Sequence, residues 1–209
     1  MPRIIRSMML MPLLLIVSCI GVSSSIELNG DGSGKLQLEY RLAGELEDLG
    51  KLDGNEKWLP VPVGRADMER TVSRTAGLKL LSYTVREEGK DRIYRSELSF
   101  TSPEALTAFF GAGEFRPDIP GRKLSITFAG SQPADKEWSL VVKDSLQGYS
   151  FSLSLKVPGT AAYTWFDKAG NKTAVFPGTC STSGQKLEYT VSMADLVLME
   201  TPLSMEVRW

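Results

Sequence analysis

The 209 residues include no histidine. That excludes Ser-His-Asp and Cys-His catalysis and removes the usual imidazole ligands for zinc, copper or iron. Cysteine is almost absent, with Cys19 and Cys180 the two present, so the fold cannot rest on a disulfide framework. With so few sulfur donors as well, neither a structural nor a catalytic transition-metal site is expected, and no cofactor is expected; oxygen-ligated calcium or magnesium stays chemically open. No basic block or stripe interrupts the 24 basic and 25 acidic residues, which makes nucleic acid a poor partner. No apolar run reaches the roughly 20 residues that a membrane-crossing helix needs. No internal repeat of a length typical of solenoids or propellers is found either.

What is present begins at the N-terminus. Arg3 and Arg6 form a positive segment, and Met8 to Val17 form an apolar run interrupted by Pro12, of about ten residues, the length of a signal-peptide core. Ile16, Val17 and Ser18 then lead into Cys19. That order resembles the bacterial lipobox, an aliphatic position followed by small residues and a cysteine. The resemblance implies cleavage between Ser18 and Cys19 and acylation of Cys19. An ordinary signal peptide cut after Ser23 or Ser25 is the alternative, and it would discard Cys19. Residues 1–18 are read as the signal peptide, 19–25 as a short polar tether and 26–209 as one domain, with the best internal boundary at 111–121. Once Arg3 and Arg6 are removed, 22 basic residues face 25 acidic ones. If Cys19 is acylated or removed, Cys180 has no intramolecular partner and reads as a small buried or half-buried thiol.

The mature chain alternates at strand period. Ile26 and Leu28, then Leu36, Leu38 and Tyr40, flank the glycine-rich Asn29 to Gly34 and read as a hairpin. Met68, Val72 and Ala76 recur at helical spacing ahead of Gly77, which predicts a helix over 65–76. Strands are expected from Leu78 to Arg86 and from Arg92 to Phe100. Ser102 and Pro103 then open a short helix, with Ala105, Leu106, Phe109 and Phe110 as its buried stripe. Beyond residue 121 the pattern is mostly strand. Leu124, Ile126 and Phe128 alternate, as do Trp138, Leu140 and Val142, and the longest run is Tyr149, Phe151, Leu153, Leu155 and Val157. Further strands are read around Tyr163 to Phe166, Lys172 to Phe176, Leu187 to Val191 and Leu203 to Val207, with one helical turn within 194–200. The expected class is α+β: an antiparallel sheet covered on one face by two helices from the N-terminal half.

Candidate chemistry is sparse. Asn29, Asp31 and Ser33 occupy the first donor positions of a calcium loop with Gly34 at the sixth, but Tyr40 stands where the bidentate acid belongs, so a hairpin turn is the better reading. Glu87 with Glu88, or Glu45, Glu47 and Asp48, offer carboxylates for glycoside hydrolysis, yet neighbours in a strand or turn point apart. Ser183 to Lys186 spells Ser-x-x-Lys in a turn rather than at a helix start. Asn171 to Thr173 spells a glycosylation sequon without the machinery to use it. Tyr163, Trp165, Phe166, Trp138, Tyr149 and Phe176 make the second half aromatic-rich, as core or as a stacking platform. No catalytic residues are assigned.

The segments Ile26 to Leu42, Ser73 to Phe110 and Leu187 to Trp209, with the lipobox, resemble uncharacterised lipoproteins of spirochaetes. Asp31 to Tyr40 also looks like the first hairpin of LppM-like domains, which are α+β envelope modules linked in mycobacteria to lipoglycan metabolism. The family's namesake carries a C-terminal membrane helix, and Met193 to Trp209 here is too polar and too interrupted to be one. The resemblance implies an envelope location and a fold, with no catalytic motif.

Three functional expectations follow. The first is a non-enzymatic lipoprotein, held to the membrane through Cys19 on the periplasmic or surface side of a bacterial envelope, whose domain binds an envelope protein or an apolar or lipid ligand. A cleft between the sheet and the helices Arg65–Ala76 and Pro103–Phe110 is the place expected for such a ligand. The second is a histidine-free hydrolase using Asp or Glu, which requires carboxylates converging in a pocket. The third is a purely structural or antigenic surface module.

Overall fold

The N-terminal hairpin forms as its alternation predicts. In the computed structural model, which describes residues 20–43, 64–111, 115–130 and 135–209, strand β1 (Ile20–Leu28) pairs antiparallel with β2 (Gly34–Ala43), Ile26 opposite Leu36 and Ser24 opposite Leu38. The turn is closed by Asn29, whose backbone N–H donates to the Ser33 carbonyl at 2.8 Å. Glycine is required at position 34, because a Cβ there would lie 1.9 Å from the Glu27 carbonyl oxygen. Helix α1 (Arg65–Ser73) buries Met68 and Val72. Strands β3 (Leu78–Glu88) and β4 (Asp91–Phe100) form the next hairpin, and α2 (Pro103–Phe110) follows with proline in its first turn.

The remaining strands are β5 (Phe115–Asp118), β6 (Lys123–Phe128), β7 (Ser150–Lys156), β8 (Ala162–Phe166), β9 (Lys172–Thr173), β10 (Thr179–Ser183), β11 (Lys186–Ser192) and β12 (Leu203–Arg208). Two further helices are α3 (Lys136–Ser145) and α4 (Met193–Val197). The strands make two sheets. One has seven strands in the order β10-β11-β7-β1-β2-β4-β3, and the other has five in the order β5-β6-β12-β8-β9. Their inner faces share one apolar cluster, with Leu36, Leu155 and Leu187 from the larger sheet and Leu124, Met205 and Val207 from the smaller all fully buried. Each such leucine contributes about 1.5–3 kcal/mol relative to exposure. A second, smaller cluster of Val142, Leu146, Met193 and Ala194 joins α3 to α4.

This corrects the expected fold class. There are two sheets rather than one covered by helices, the larger is mixed because β1 runs parallel to β7, and α3 and α4 lie in the C-terminal half. The chain is mostly β. The reason is geometric: the apolar faces of the two halves are sheet faces, and each buries the other.

Four local expectations also change. Residues 20–25, read as a tether, belong to β1, which lies between β2 and β7. Trp138, Leu140 and Val142 are helical. The Asp135 carboxylate caps α3 by accepting from the Trp138 backbone N–H at 2.8 Å, and the buried positions Val142 and Leu146 stand four apart, while Leu140 is 61% exposed. A strand would have aligned Leu140 with its neighbours; the helix turns it to water. In β3 a register shift between Leu80 and Ser82 leaves Leu81 and Val85 exposed, where strict alternation would have buried them. Helix α1 also stops at Ser73, short of the expected residue 76, and the chain turns through Gly77 at φ 84°.

Candidate functional site

Alternation along β1 aims Val22, Ser24 and Ile26 at the inter-sheet layer. Their register partners on β2 are Tyr40, Leu38 and Leu36, and on β7 they are Phe151, Leu153 and Leu155. The layer is not filled there. A cavity of about 220 Å³ lies against Val22, Ser24, Leu38 and Phe151 of the larger sheet and Phe115 and Phe128 of the smaller, with Phe110 of α2 on its wall. It is partly open to solvent. The aromatic walls brace one another: Phe110 packs on Phe115 at 5.3 Å between ring centroids, and Phe128 meets Phe151 edge-on at 5.9 Å.

The polar groups at this cavity are few. The Thr127 hydroxyl is shared with Ser204 at 3.1 Å. Tyr40 is buried, and desolvation pushes its phenol pKa up, with Tyr83 adding to the effect. Ser24 is 4% exposed, and its Oγ has no hydrogen-bond partner among the described residues. A buried hydroxyl left unpaired costs about 1–3 kcal/mol. Among the described residues no Asp, Glu, Lys or Arg lines the cavity, so a charged group placed in it would find no partner among them.

On the opposite face of β1 and β2 a second concavity, of about 160 Å³, is lined by Gly21, Ser23, Glu39, Arg41, Tyr149 and Ser150 among others. It is polar and tightly bonded. Asp91, buried beside it, accepts from Arg41 Nε at 2.6 Å and from the Tyr149 hydroxyl at 3.1 Å.

The candidates read from sequence are scattered. Ser18 and Cys19, and also Glu45, Glu47 and Asp48, lie outside the described residues. Asp31 is committed to the β1–β2 turn: its Oδ1 accepts from both the Ser33 N–H and the Ser33 hydroxyl, which lowers its pKa. Glu87 and Glu88 sit at the β3–β4 turn, paired with Arg92 at 3.3 Å and with Arg41 at 3.5 Å. Ser183 to Lys186 forms the β10–β11 turn, where Lys186 Nζ donates to Glu188 at 2.5 Å. Asp167 holds the turn ahead of β9 through the Asn171 N–H, which lowers its pKa.

The aromatic set divides. Trp165 is buried, stacked on Phe176 at 4.7 Å and packed against Phe128, so it is core rather than platform, whereas Trp138 and Tyr149 adjoin the smaller cluster. Of the two helices expected to flank a ligand cleft, α2 touches the inter-sheet cavity through Phe110. Val22 and Ser24 were missed because they fell in the supposed tether. The signal was there: their spacing continues the alternation of Ile26 and Leu28.

Cys180 faces the same layer at its edge, with Sγ 4.0 Å from Met205 Sδ; burial raises its thiol pKa to about 11. Among the described residues no helix is long and apolar enough to cross a membrane.

A scan against protein-family models finds no match, and a search of curated proteins finds none. Among solved structures, the folded domain of the LppM protein of Mycobacterium tuberculosis is similar at 12% identity and a TM-score of 0.40, over 91% of this chain and 90% of that one. A likeness at this level transfers neither ligand nor role, and none of these findings supports the resemblance to spirochaete lipoproteins.

Proposed function

We propose that this protein is a bacterial envelope lipoprotein, acylated at Cys19, whose two-sheet domain binds a small apolar ligand between its sheets. The observation that carries the binding half is the cavity of about 220 Å³ with aromatic and aliphatic walls. Cavities of about 150 Å³ lined by apolar groups stay dry and take up benzene-sized ligands. The volume therefore suits one short apolar segment, not a whole two-chain lipid. At about 0.8 kcal/mol per buried methylene, an eight-carbon segment gains about 6 kcal/mol, which corresponds to micromolar-to-millimolar binding. A hydrolase has less support: among the described residues no carboxylate lines the apolar cavity, and Glu39 is the one that lines the polar concavity.

Two measurements test this reading. Intact mass and membrane fractionation of wild type and Cys19→Ala test the anchor, and wild type released as a soluble, unacylated product would sink it. Uptake of a neutral fluorescent apolar probe tests the cavity. The probe should bind wild type and be excluded from Leu38→Trp, a variant whose ring fills the space; equal uptake by a folded Leu38→Trp would reject the site.

A further inference from the structure

The cavity constrains its ligand more narrowly than apolar walls alone would. Ser24 stands in a cross-strand row between Leu153 and Leu38, both of which line the cavity. Its hydroxyl is one donor and two acceptor sites, buried and without a partner among the described residues. Two other hydroxyl-bearing residues line the wall among the described residues: Thr127, already engaged by Ser204, and Tyr40, a buried phenol that desolvation keeps neutral. Among the described residues no charged side chain reaches the lining.

These facts point in one direction. A wholly apolar ligand would leave the Ser24 hydroxyl unsatisfied, which is costly in a low-dielectric site. An ionised ligand group would arrive with no counter-charge, which costs more. What satisfies both is a neutral group that accepts or donates a single hydrogen bond, attached to a short run of methylenes.

We infer that the inter-sheet cavity is a site for an uncharged acyl or alkyl chain carrying one ester, amide or hydroxyl group, which the Ser24 hydroxyl recognises. This rests on the cavity being the binding site proposed above. The chemistry has two sources: a free neutral lipid, or the ester- and amide-linked chains that acylation would place on Cys19. The second is within reach because Cys19 precedes Val22, which lines the cavity, by three residues, a chain length of at most about 10 Å.

The test uses the full chain with Cys19→Ser, which removes the protein's own acyl groups, titrated calorimetrically at pH 8 with four eight-carbon probes. Methyl octanoate and octan-1-ol should bind, octane should bind more weakly, and octanoate, ionised at this pH, should bind at least tenfold more weakly than the ester. In Ser24→Ala the ester and alcohol should lose about three- to tenfold in affinity, the worth of one hydrogen bond, while octane is unchanged. Octanoate binding as tightly as the ester, or Ser24→Ala treating ester and octane alike, would overturn the inference yet leave the cavity as a binding site. Failure of all four probes on folded protein would overturn the cavity reading itself. Acylated wild type in lipid nanodiscs then assigns the source: undiminished uptake of methyl octanoate indicates a free lipid, and blocked uptake indicates the protein's own chain.

Discussion

The two apolar clusters of this molecule are built to different standards. The smaller one, under α3 and α4, is bordered by paired polar groups. Asp135 and Ser192 cap its two helices, and the Met193 N–H donates to the Tyr149 carbonyl. The Tyr149 hydroxyl donates to Asp91, which Arg41 also holds. The larger cluster, between the sheets, contains most of the buried leucines and aromatics, and it is the one left incomplete. It has an open cavity, and Ser24 Oγ, Ser96 Oγ and Trp165 Nε1 have no partner among the described residues. A core large enough to hold the fold together has stability to spare for a void and an unpaired hydroxyl; a small cluster does not.

That contrast can be broken from either side. Leu155→Ala should have the largest effect, because Leu155 is fully buried in the inter-sheet core; a loss of about 2–5 kcal/mol is expected, read as a lower urea midpoint. Asp91→Ala comes next. It removes the acceptor of Arg41 and Tyr149, and since the Arg41 side chain is 43% exposed and can rehydrate, the expected loss is about 1–2 kcal/mol. Hydrogen exchange should then show α3 and α4 opening ahead of the sheets. If α3 keeps its protection, the smaller cluster does not depend on that link.

Ser24→Ala should act in the opposite sense. Removing an unpaired buried hydroxyl should raise the stability of the empty protein by about 1 kcal/mol, read as a higher Tm. A fall instead would mean that Ser24 is satisfied in solution and the core is not incomplete at that point.

The smallest effect concerns Cys180 at the edge of the inter-sheet layer. Its thiol pKa is raised by burial from 9.0 to about 11, so folding favours the neutral thiol. The associated stability is fully present below pH 9 and is lost as pH rises through 11. Against Cys180→Ala, wild type should therefore lose stability more steeply over that interval. Iodoacetamide at pH 8 should also label Cys180 about a hundredfold more slowly than an unperturbed thiol, the thiolate fraction setting the rate. Labelling at the ordinary rate would mean that the two sheets part at this edge.

Much of the fold was legible in strand period. The β1–β2 hairpin, the helix opened by Pro103, and the strands around Leu153, Leu187 and Met205 were read from alternation and turn residues alone. The misreadings have specific causes. Trp138 and Val142, four apart, fit helical and strand periods alike, and the Asp135 cap decides between them. Val22 and Ser24 were set aside because serine-rich segments near a lipobox look like spacers. The short strands β5 and β9 have too few residues to display a period.

By itself the sequence determined what chemistry is absent and where most strands run, because composition and period-two alternation are local properties. It excluded imidazole catalysis, a disulfide framework and any long apolar span. It marked Cys19 as the expected anchor. Only the tertiary structure decided that the strands divide between two facing sheets, that β1 lies beside β7 in parallel, and that the layer between them is incomplete beside Ser24. Those are consequences of residues more than a hundred positions apart meeting across strands and faces. No local pattern encodes how completely two distant surfaces fill the space between them.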